Sequence, residues 1–278
     1  MTTLTLLHPG AMGAKVGAQA VRGGARVLHV PADRSPASLR RAREAGLEAA
    51  GSLASALSES DLVLSLCPPH AAEEVAHEVL AHAFQGVYAE ANAISPDRVH
   101  RIAAACAERG VTMVDGSVIG GPPGPDSAPR LYLSGDDRPA VDRLAAVFAG
   151  TRVVARPLDA GVGAASALKM AYASFQKSAR ALAAVSHALA AGHGVGDQLA
   201  AEAEALTSNI LAEVEYFPGL AARAWRWAPE MAEIAATLRA AGLPPALAEA
   251  SKTVLGRWAE DKDRFDLPVD EVLAHLRD

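Results

Sequence analysis

The stretch Leu4-Thr5-Leu6-Leu7-His8-Pro9-Gly10-Ala11-Met12-Gly13 decides the fold. Leu4 to Leu7 reads as a strand, His8 to Gly10 as a tight turn, and Ala11 onward, to about Arg22, as a helix. A nucleotide-binding strand-turn-helix needs glycine where the backbone meets a diphosphate and again where helix packs on strand. Gly10 and Gly13 stand at those two positions. The glycine of the tight turn is replaced by His8, a departure that Pro9 offsets by helping to fix the turn. A helix starting near Ala11 would aim its free amides, and the positive end of its dipole, at phosphates. The competing reading is an ordinary strand-to-helix turn. The N-terminal position and the elements on either side favour the nucleotide site.

Outward from that stretch, short apolar runs alternate with helical segments. Strands are expected at Ala25 to Val30, Asp61 to Leu66, Gly86 to Ala89, Val111 to Val114, Leu131 to Ser134 and Arg152 to Ala155, with a helix at Ala37 to Ala45 and others between most of the remaining runs. This alternation predicts an α/β, Rossmann-type doubly wound and mostly parallel sheet over residues 1–160. The character changes at Pro157-Leu158-Asp159-Ala160-Gly161, and residues 161–278 read as an all-α domain. Leu168, Tyr172, Phe175, Leu182, Val185 and Leu189 make a narrow apolar stripe on one helix that ends at Gly192-His193-Gly194. At about 1.5 Å per residue that helix runs roughly 40 Å, more than a small domain needs for itself.

Half of the 278 residues are apolar, enough for a sizeable core, while aromatics are only 4%, so helices pack through small side chains. A net charge of −6 without a basic cluster argues against nucleic acid as a partner. Lys169, Lys177 and Arg180 interrupt the longest alanine-rich stretch and argue against a membrane span. Cys67 and Cys106 lack metal-ligand spacing and read as reduced thiols, and no basic leader precedes the first strand, so a cytoplasmic protein is expected. No pair of histidines stands at metal-binding spacing, and no metal is expected.

The end of the second strand chooses between cofactors. An acidic residue there holds the ribose hydroxyls of NAD, whereas arginine accommodates the extra phosphate of NADP. Asp33-Arg34-Ser35 offers both, and the forked donors of Arg34 with the Ser35 hydroxyl favour NADP, leaving NAD as the alternative. Leu66, Cys67 and Pro68 fall where a ligand crevice opens in such a sheet and read as cofactor lining. Asn92 either contacts the nicotinamide ribose or substrate, or is a plain strand-end turn residue.

Gly10-Ala11-Met12-Gly13, Asp33-Arg34-Ser35, Asp115-Gly116-Ser117-Val118-Ile119-Gly120-Gly121 and Gly163 through Lys169 occur in an order that resembles the β-hydroxyacid dehydrogenases, a superfamily that includes 6-phosphogluconate dehydrogenase and the imine reductases. Ala224-Trp225-Arg226-Trp227-Ala228-Pro229-Glu230-Met231-Ala232-Glu233-Ile234-Ala235 is similar to the C-terminal domain, of unknown function, of a less characterised branch. The resemblance implies a nicotinamide-dependent redox reaction at the cleft between the domains, and a homodimer formed by the helical domain. It also places the catalytic lysine at Lys169 and a substrate-binding loop at Ser117 to Gly121, with Gly120 and Gly121 letting backbone amides approach the ligand. The asparagine expected four residues after the lysine is Ala173, and the serine common in the loop is Ile119. Both departures count against a standard β-hydroxyacid, whose carboxylate needs polar partners.

Hydride transfer to or from a carbonyl needs a proton donor or acceptor beside the oxygen. Lys169, partly desolvated in an apolar helix, fills that role, the alternative being a snorkelling surface lysine. Tyr172, one turn on, is either a second donor to the substrate or a core residue. Glu230 and Glu233 could reach the partner's cleft, Glu230 as a substrate contact, although a solvated outer helix face is favoured. Trp225 and Trp227 either anchor packing or close an apolar substrate pocket. The expected function is NADP-dependent oxidation or reduction of a small hydroxy or oxo compound. Imine reduction, a regulatory protein that binds NAD(P) without turnover, and a non-redox lyase are the alternatives.

Overall fold

The computed structural model describes residues 1–205, 213–240, 242 and 244–277, without the side chains of residues 185, 186, 188 and 189. The chain divides into two compact units, Met1–Lys169 and Met170–Asp278.

The first unit runs β1 (Thr3–Leu6), α1 (Ala11–Arg22), β2 (Arg26–His29), α2 (Pro36–Glu44), β3 (Glu48–Ala49), α3 (Leu53–Ser58), β4 (Leu62–Ser65), α4 (Ala72–Leu80), β5 (Val87–Glu90), α5 (Pro96–Glu108), β6 (Thr112–Ile119), β7 (Arg130–Ser134), α6 (Arg138–Val147) and β8 (Val154–Pro157), then enters α7 (Ala164–Gly192). The strands form one eight-stranded sheet in the order β3-β2-β1-β4-β5-β6-β7-β8. All neighbours are parallel except β6 and β7, which pair antiparallel. The doubly wound architecture expected from the alternation is therefore the fold. Helix starts carry the signals that put them there: Ser35, Ser52, Ser95 and Asp137 each accept a first-turn amide of the helix they open.

Successive residues of the central strands face opposite sides, as strand pleating requires. Leu4, Leu6, Leu62, Leu64, Val87, Ala89 and Val114 join Val16 and Ala20 of α1 and Val141, Leu144 and Val147 of α6 in one core. Leu7, Val63, Tyr88 and Met113 join Val75, Val79, Val99, Ile102 and Cys106 of α4 and α5 in the other. A sheet buried on both faces leaves the ends of its strands for ligands.

The sequence and the structure differ in two places. The strand expected at Val111 to Val114 runs on to Ile119, because β7 returns antiparallel and pairs Ser117 with Tyr132 and Ile119 with Arg130. Ser117 is consequently a strand residue, not a loop residue. The two-residue edge strand β3, exposed at both positions, carries no apolar signal and was not expected.

The second unit is helical among its described residues: the rest of α7, then α8 (Gly196–Ala205), α9 (Phe217–Ala240), α10 (Ala246–Gly256) and α11 (Val269–Ala274). Its core includes Phe217, Leu220, Met231, Ile234, Leu255 and the fully buried Trp258, whose indole donates to Val272 O at 2.7 Å. On the apolar stripe of α7, Leu168, Tyr172, Phe175 and Leu182 are exposed, while the side chains of Val185 and Leu189 lie outside the described residues. No helix among the described residues is long and apolar enough to cross a membrane.

One buried acid sits in the middle of the sheet. Glu90, fully buried at the end of β5, accepts from Asn92 N at 3.0 Å and from Tyr88 Oη at 3.3 Å. Burial, with the nearby Asp115 charge adding to it, pushes its carboxyl from 4.5 up to about 8, against the pull of those hydrogen bonds. A raised folded-state value favours the protonated acid, so its stabilising contribution is complete below pH 4.5 and lost as pH rises towards 8. Glu90→Gln, which mimics the protonated acid, is expected to flatten that dependence. Between pH 5 and 8.5 the native Tm should fall by about 5 °C more than the variant's, measured by calorimetry.

Candidate functional site

In an open parallel sheet the ligand crevice lies at the carboxyl ends of the strands, where the strand order reverses. Here that point is between β1 and β4. Leu7 N donates to Leu64 O at 3.1 Å and holds the two chains together one residue past β1. The chain then turns through His8 and Pro9, with Gly10 N donating to His8 O at 2.8 Å, and α1 begins at Ala11. A Cβ at Gly13 would overlap the His8 carbonyl oxygen, so only glycine lets α1 lie this close to the end of β1. Beside Gly10 the space is open: a Cβ there would meet nothing within 4 Å. Gly10 is the N-cap of α1 and provides no side-chain cap, nor is there an acidic residue in the first turn. The amides around Ala11, Met12 and Gly13 thus open on free space with no side-chain acceptor, which suits a diphosphate. Met12 leans back on the core.

The end of β2 supplies a second set of donors. Asp33 takes a left-handed φ of 58°, and Arg34 N bonds to Pro31 O at 3.3 Å. Arg34 Nε is buried and has no hydrogen-bond partner; the same holds for His8 Nδ1 and His29 Nδ1. Burial, and secondarily the positive charge of Arg34, lower His8 to about 4 and depress His29, the latter partly offset by a backbone hydrogen bond at Val30. Ser35 caps α2, accepting from Ser38 N and donating to Ser38 Oγ, both at 3.2 Å. Its hydroxyl has a structural task that the reading of Asp33-Arg34-Ser35 did not assign.

Beyond β4, Leu66 and Cys67 are half-buried and Pro68 is exposed. Asn92 is buried and directed inward: Oδ1 accepts from Cys67 N at 2.6 Å, and Nδ2 donates to Ser65 Oγ at 3.0 Å. It pins the backbone after β4 rather than presenting its amide to the crevice. Burial is the first cause that pushes the Cys67 thiol up to about 11, so it is no nucleophile at neutral pH.

The start of α7 is built by residues that lie in the quoted motifs but that sequence reading assigned no individual role. Asp115, buried in β6, accepts from Ser166 N at 3.0 Å, Ser166 Oγ at 2.7 Å and Ser134 Oγ at 3.2 Å. Burial raises its pKa despite these bonds. Gly163 has a φ of 96°, and a Cβ there would meet the His100 ring, whose Nε2 lies 3.0 Å from Val162 O. Six residues on, half-buried Lys169 donates from Nζ to Val118 O at 3.1 Å. Ser117, the residue before Val118, has a buried Oγ without a partner. Gly120, with a φ of 122° close against Pro129, and Gly121 are exposed beyond the end of β6. One signal for this cluster was present in the sequence: an acid buried two residues before Ser117, followed much later by Gly163 and Ser166.

In the helical unit, Tyr172 is 39% exposed, so it is not a core residue, and its Oη accepts from Gln176 Nε2 at 3.4 Å. Glu230 corrects the expectation of a solvated outer face. It is buried and ion-paired with Lys177 of α7, which also lies over the Trp227 ring, 5.4 Å from its centroid. Tertiary pairing pulled this carboxylate inward. Trp227 is nearly buried and stacks on Tyr216, whereas Trp225 is 40% exposed beneath Lys262.

Comparisons with known proteins agree with this geometry. The family described as the NAD binding domain of 6-phosphogluconate dehydrogenase matches residues 5–155, and a domain of unknown function, DUF1932, matches residues 190–258. No curated protein matches the chain in sequence. Among solved structures, 3-hydroxyisobutyrate dehydrogenase from Mycobacterium tuberculosis, with L-serine, is 21% identical over all of both chains, with a TM-score of 0.78. The 3-hydroxyisobutyrate dehydrogenase from Salmonella typhimurium is 20% identical over 94% of each chain, TM-score 0.73. A reductive aminase from Aspergillus terreus, in complex with NADPH and ethyl-5-oxohexanoate, is 19% identical over both full chains, TM-score 0.59. At these identities the likeness is one of fold. The family match, in contrast, covers more than half of the chain, which belongs to the family built on the NAD-binding domain of 6-phosphogluconate dehydrogenase.

Proposed function

We propose that the protein is an NADP-dependent oxidoreductase acting on a small hydroxy or oxo compound. The observation that carries this reading is Lys169, held half-buried against the carbonyl of Val118, the residue that follows Ser117 and its unpartnered hydroxyl, in the same unit as an uncapped nucleotide-binding turn. The residues present fit the cofactor. Open space beside Gly10 and the uncapped start of α1 suit the diphosphate, and Arg34, whose Nε has no partner, suits the extra phosphate of NADP. When bound, the nicotinamide supplies or accepts a hydride.

The chain's own residues handle the proton. Lys169 Nζ gives its proton to the substrate oxygen in reduction and receives it in oxidation. Ser117 Oγ donates a hydrogen bond to the same substrate, and the amides at Gly120 and Gly121 approach it from the end of β6. Ala173 and Ile119, both buried and apolar, leave no polar partner for a substrate carboxylate at those positions. That composition favours an alcohol or ketone without a neighbouring carboxylate, and keeps imine reduction as the second reading. A membrane or nucleic acid has no place in it.

A homodimer belongs to the same reading. Phe175 is 71% exposed and Leu182 54% exposed on α7, on the stripe that also carries Leu168 and Tyr172. A second copy of the chain, presenting the same stripe, is the occupant that fits.

Three outcomes are expected. Arg34→Ala should weaken NADP about ten- to a hundredfold in calorimetric titration, while NAD changes less than about threefold. An absorbance screen of hydroxy acids, alcohols, ketones and imines should find a substrate on which Lys169→Ala loses at least about a hundredfold in rate, with cofactor affinity retained. A protein that binds NADP but turns over nothing in the screen is a regulator instead, and one that converts a compound without change in nicotinamide absorbance is a lyase. Phe175→Glu should shift the mass seen by light scattering from dimer to monomer.

A further inference from the structure

Three buried nitrogens without partners belong to groups gathered where β1 and β2 end: His8 Nδ1, His29 Nδ1 and Arg34 Nε. His29 is the last residue of β2 and 97% buried by its 3% exposure; His8 follows β1 by two residues; Arg34 precedes α2. β1 and β2 pair in parallel, so His8 and His29 come at the same end of the sheet, and the charge of Arg34 acts on both imidazoles. Burial is the larger cause for both rings, and His29 also has a backbone hydrogen bond at Val30; the carboxylate adjacent in the chain is Asp33, exposed and turned through a left-handed φ of 58°. Arg26, which pairs with Glu48 and Glu59, is at the opposite end of β2. Buried nitrogens without partners beside a half-buried positive charge destabilise the empty protein, and a dianion offsets that cost.

We propose that His8 and His29 act with Arg34 as the specificity site for the phosphate on the adenosine ribose of NADP, both imidazoles binding it in their protonated form. This rests on the NADP reading above and adds a proton linkage to it. In the empty site burial and Arg34 keep His8 near 4, and His29 is held below its usual range, so both rings are neutral at pH 7. A phosphate dianion reverses the electrostatic sign at the rings and supplies acceptors for their N–H groups, which favours the charged form. Binding NADP therefore takes up protons, whereas binding NAD, which lacks that phosphate, does not. The sign follows from mass action: raising pH depletes the protonated rings and weakens NADP selectively. Below about pH 6 the phosphate itself gains a proton, so the loss is read above that value.

The experiment is isothermal titration of the full chain with NADP and with NAD, at pH 6.5, 7.5 and 8.5, in Hepes and in Tris at pH 7.5. Expected are an uptake of about one proton per NADP, close to none per NAD, and an NADP-to-NAD affinity ratio that falls about a hundredfold from pH 6.5 to 8.5. His8→Asn and His29→Asn should each reduce the uptake and flatten the ratio, with a melting temperature measured beside each to establish folding. Equal uptake for the two cofactors, or a ratio constant across the range, overturns the proposal, and both are read on the native protein without any variant. The NADP reading has its own failure: if Arg34→Ala leaves the ratio unchanged, or NAD binds the native chain more tightly, that reading falls, and this one with it. A ratio that collapses in Arg34→Ala but ignores pH in the native protein removes the histidines alone.

Discussion

The rest of the first unit depends on one steric constraint, the approach of α1 to the His8 carbonyl that Gly13 permits. Any side chain at position 13 would drive the helix outward and turn its first amides away from the gap between β1 and β4. With glycine, the helix begins hard against the strand it follows, and Leu66 from the next strand's exit lies within van der Waals reach of the same point. The helix start is then fixed by packing rather than by a cap, and its amides stay unsatisfied until an anion arrives.

A second anchor works on the same principle with the opposite sign. Asp115 is an acid buried in a strand, an arrangement that desolvation alone makes unfavourable. Three hydrogen bonds from Ser166 and Ser134 offset that cost and fasten the first turn of α7 to β6. Its negative charge also faces the positive end of a long helix dipole. The consequence is rotational: with Ser166 tied down and Gly163 turned tightly under His100, Lys169 emerges on the side that meets Val118 O. The lysine that the proposed chemistry needs is aimed by residues with no chemistry of their own.

These anchors explain which parts were legible in sequence. Strand-helix alternation, the extent of α1 and the great length of α7 follow from local periodicity, and each was readable. The job of Gly13 was readable too, because a close approach leaves glycine as its mark. Non-local pairing is what stayed hidden. Nothing in Asp115 to Ile119 announces that β7 will return beside it and turn an expected loop into strand. Glu230 looked like an outer-face residue because its partner, Lys177, lies on a different helix. Asn92 has the composition of a ligand contact, yet Cys67 and Ser65 claim its amide. His8 appeared as a defect in a glycine pattern for the same reason: its significance depends on Arg34 and His29, which only the fold brings near.

The distribution of unsatisfied groups sharpens that last point. In the helical unit Glu230 pairs with Lys177, and Arg180 with Glu213 and the face of Tyr216, while Ser178 Oγ, Arg180 Nε and Glu230 Oε1 are buried without a hydrogen-bond partner. In the first unit Thr5, Ser65, Asp115, Ser134 and Ser166 are buried and all hydrogen-bonded. Its orphaned side-chain atoms, His8 Nδ1, His29 Nδ1, Arg34 Nε and Ser117 Oγ, follow β1, end β2, precede α2 and lie near the end of β6. Each costs about 1–3 kcal/mol when left unmade. Three of them, on groups that carry or can take a positive charge, lie where β1 and β2 end and suit an anion, whereas Ser117 Oγ stands apart on β6.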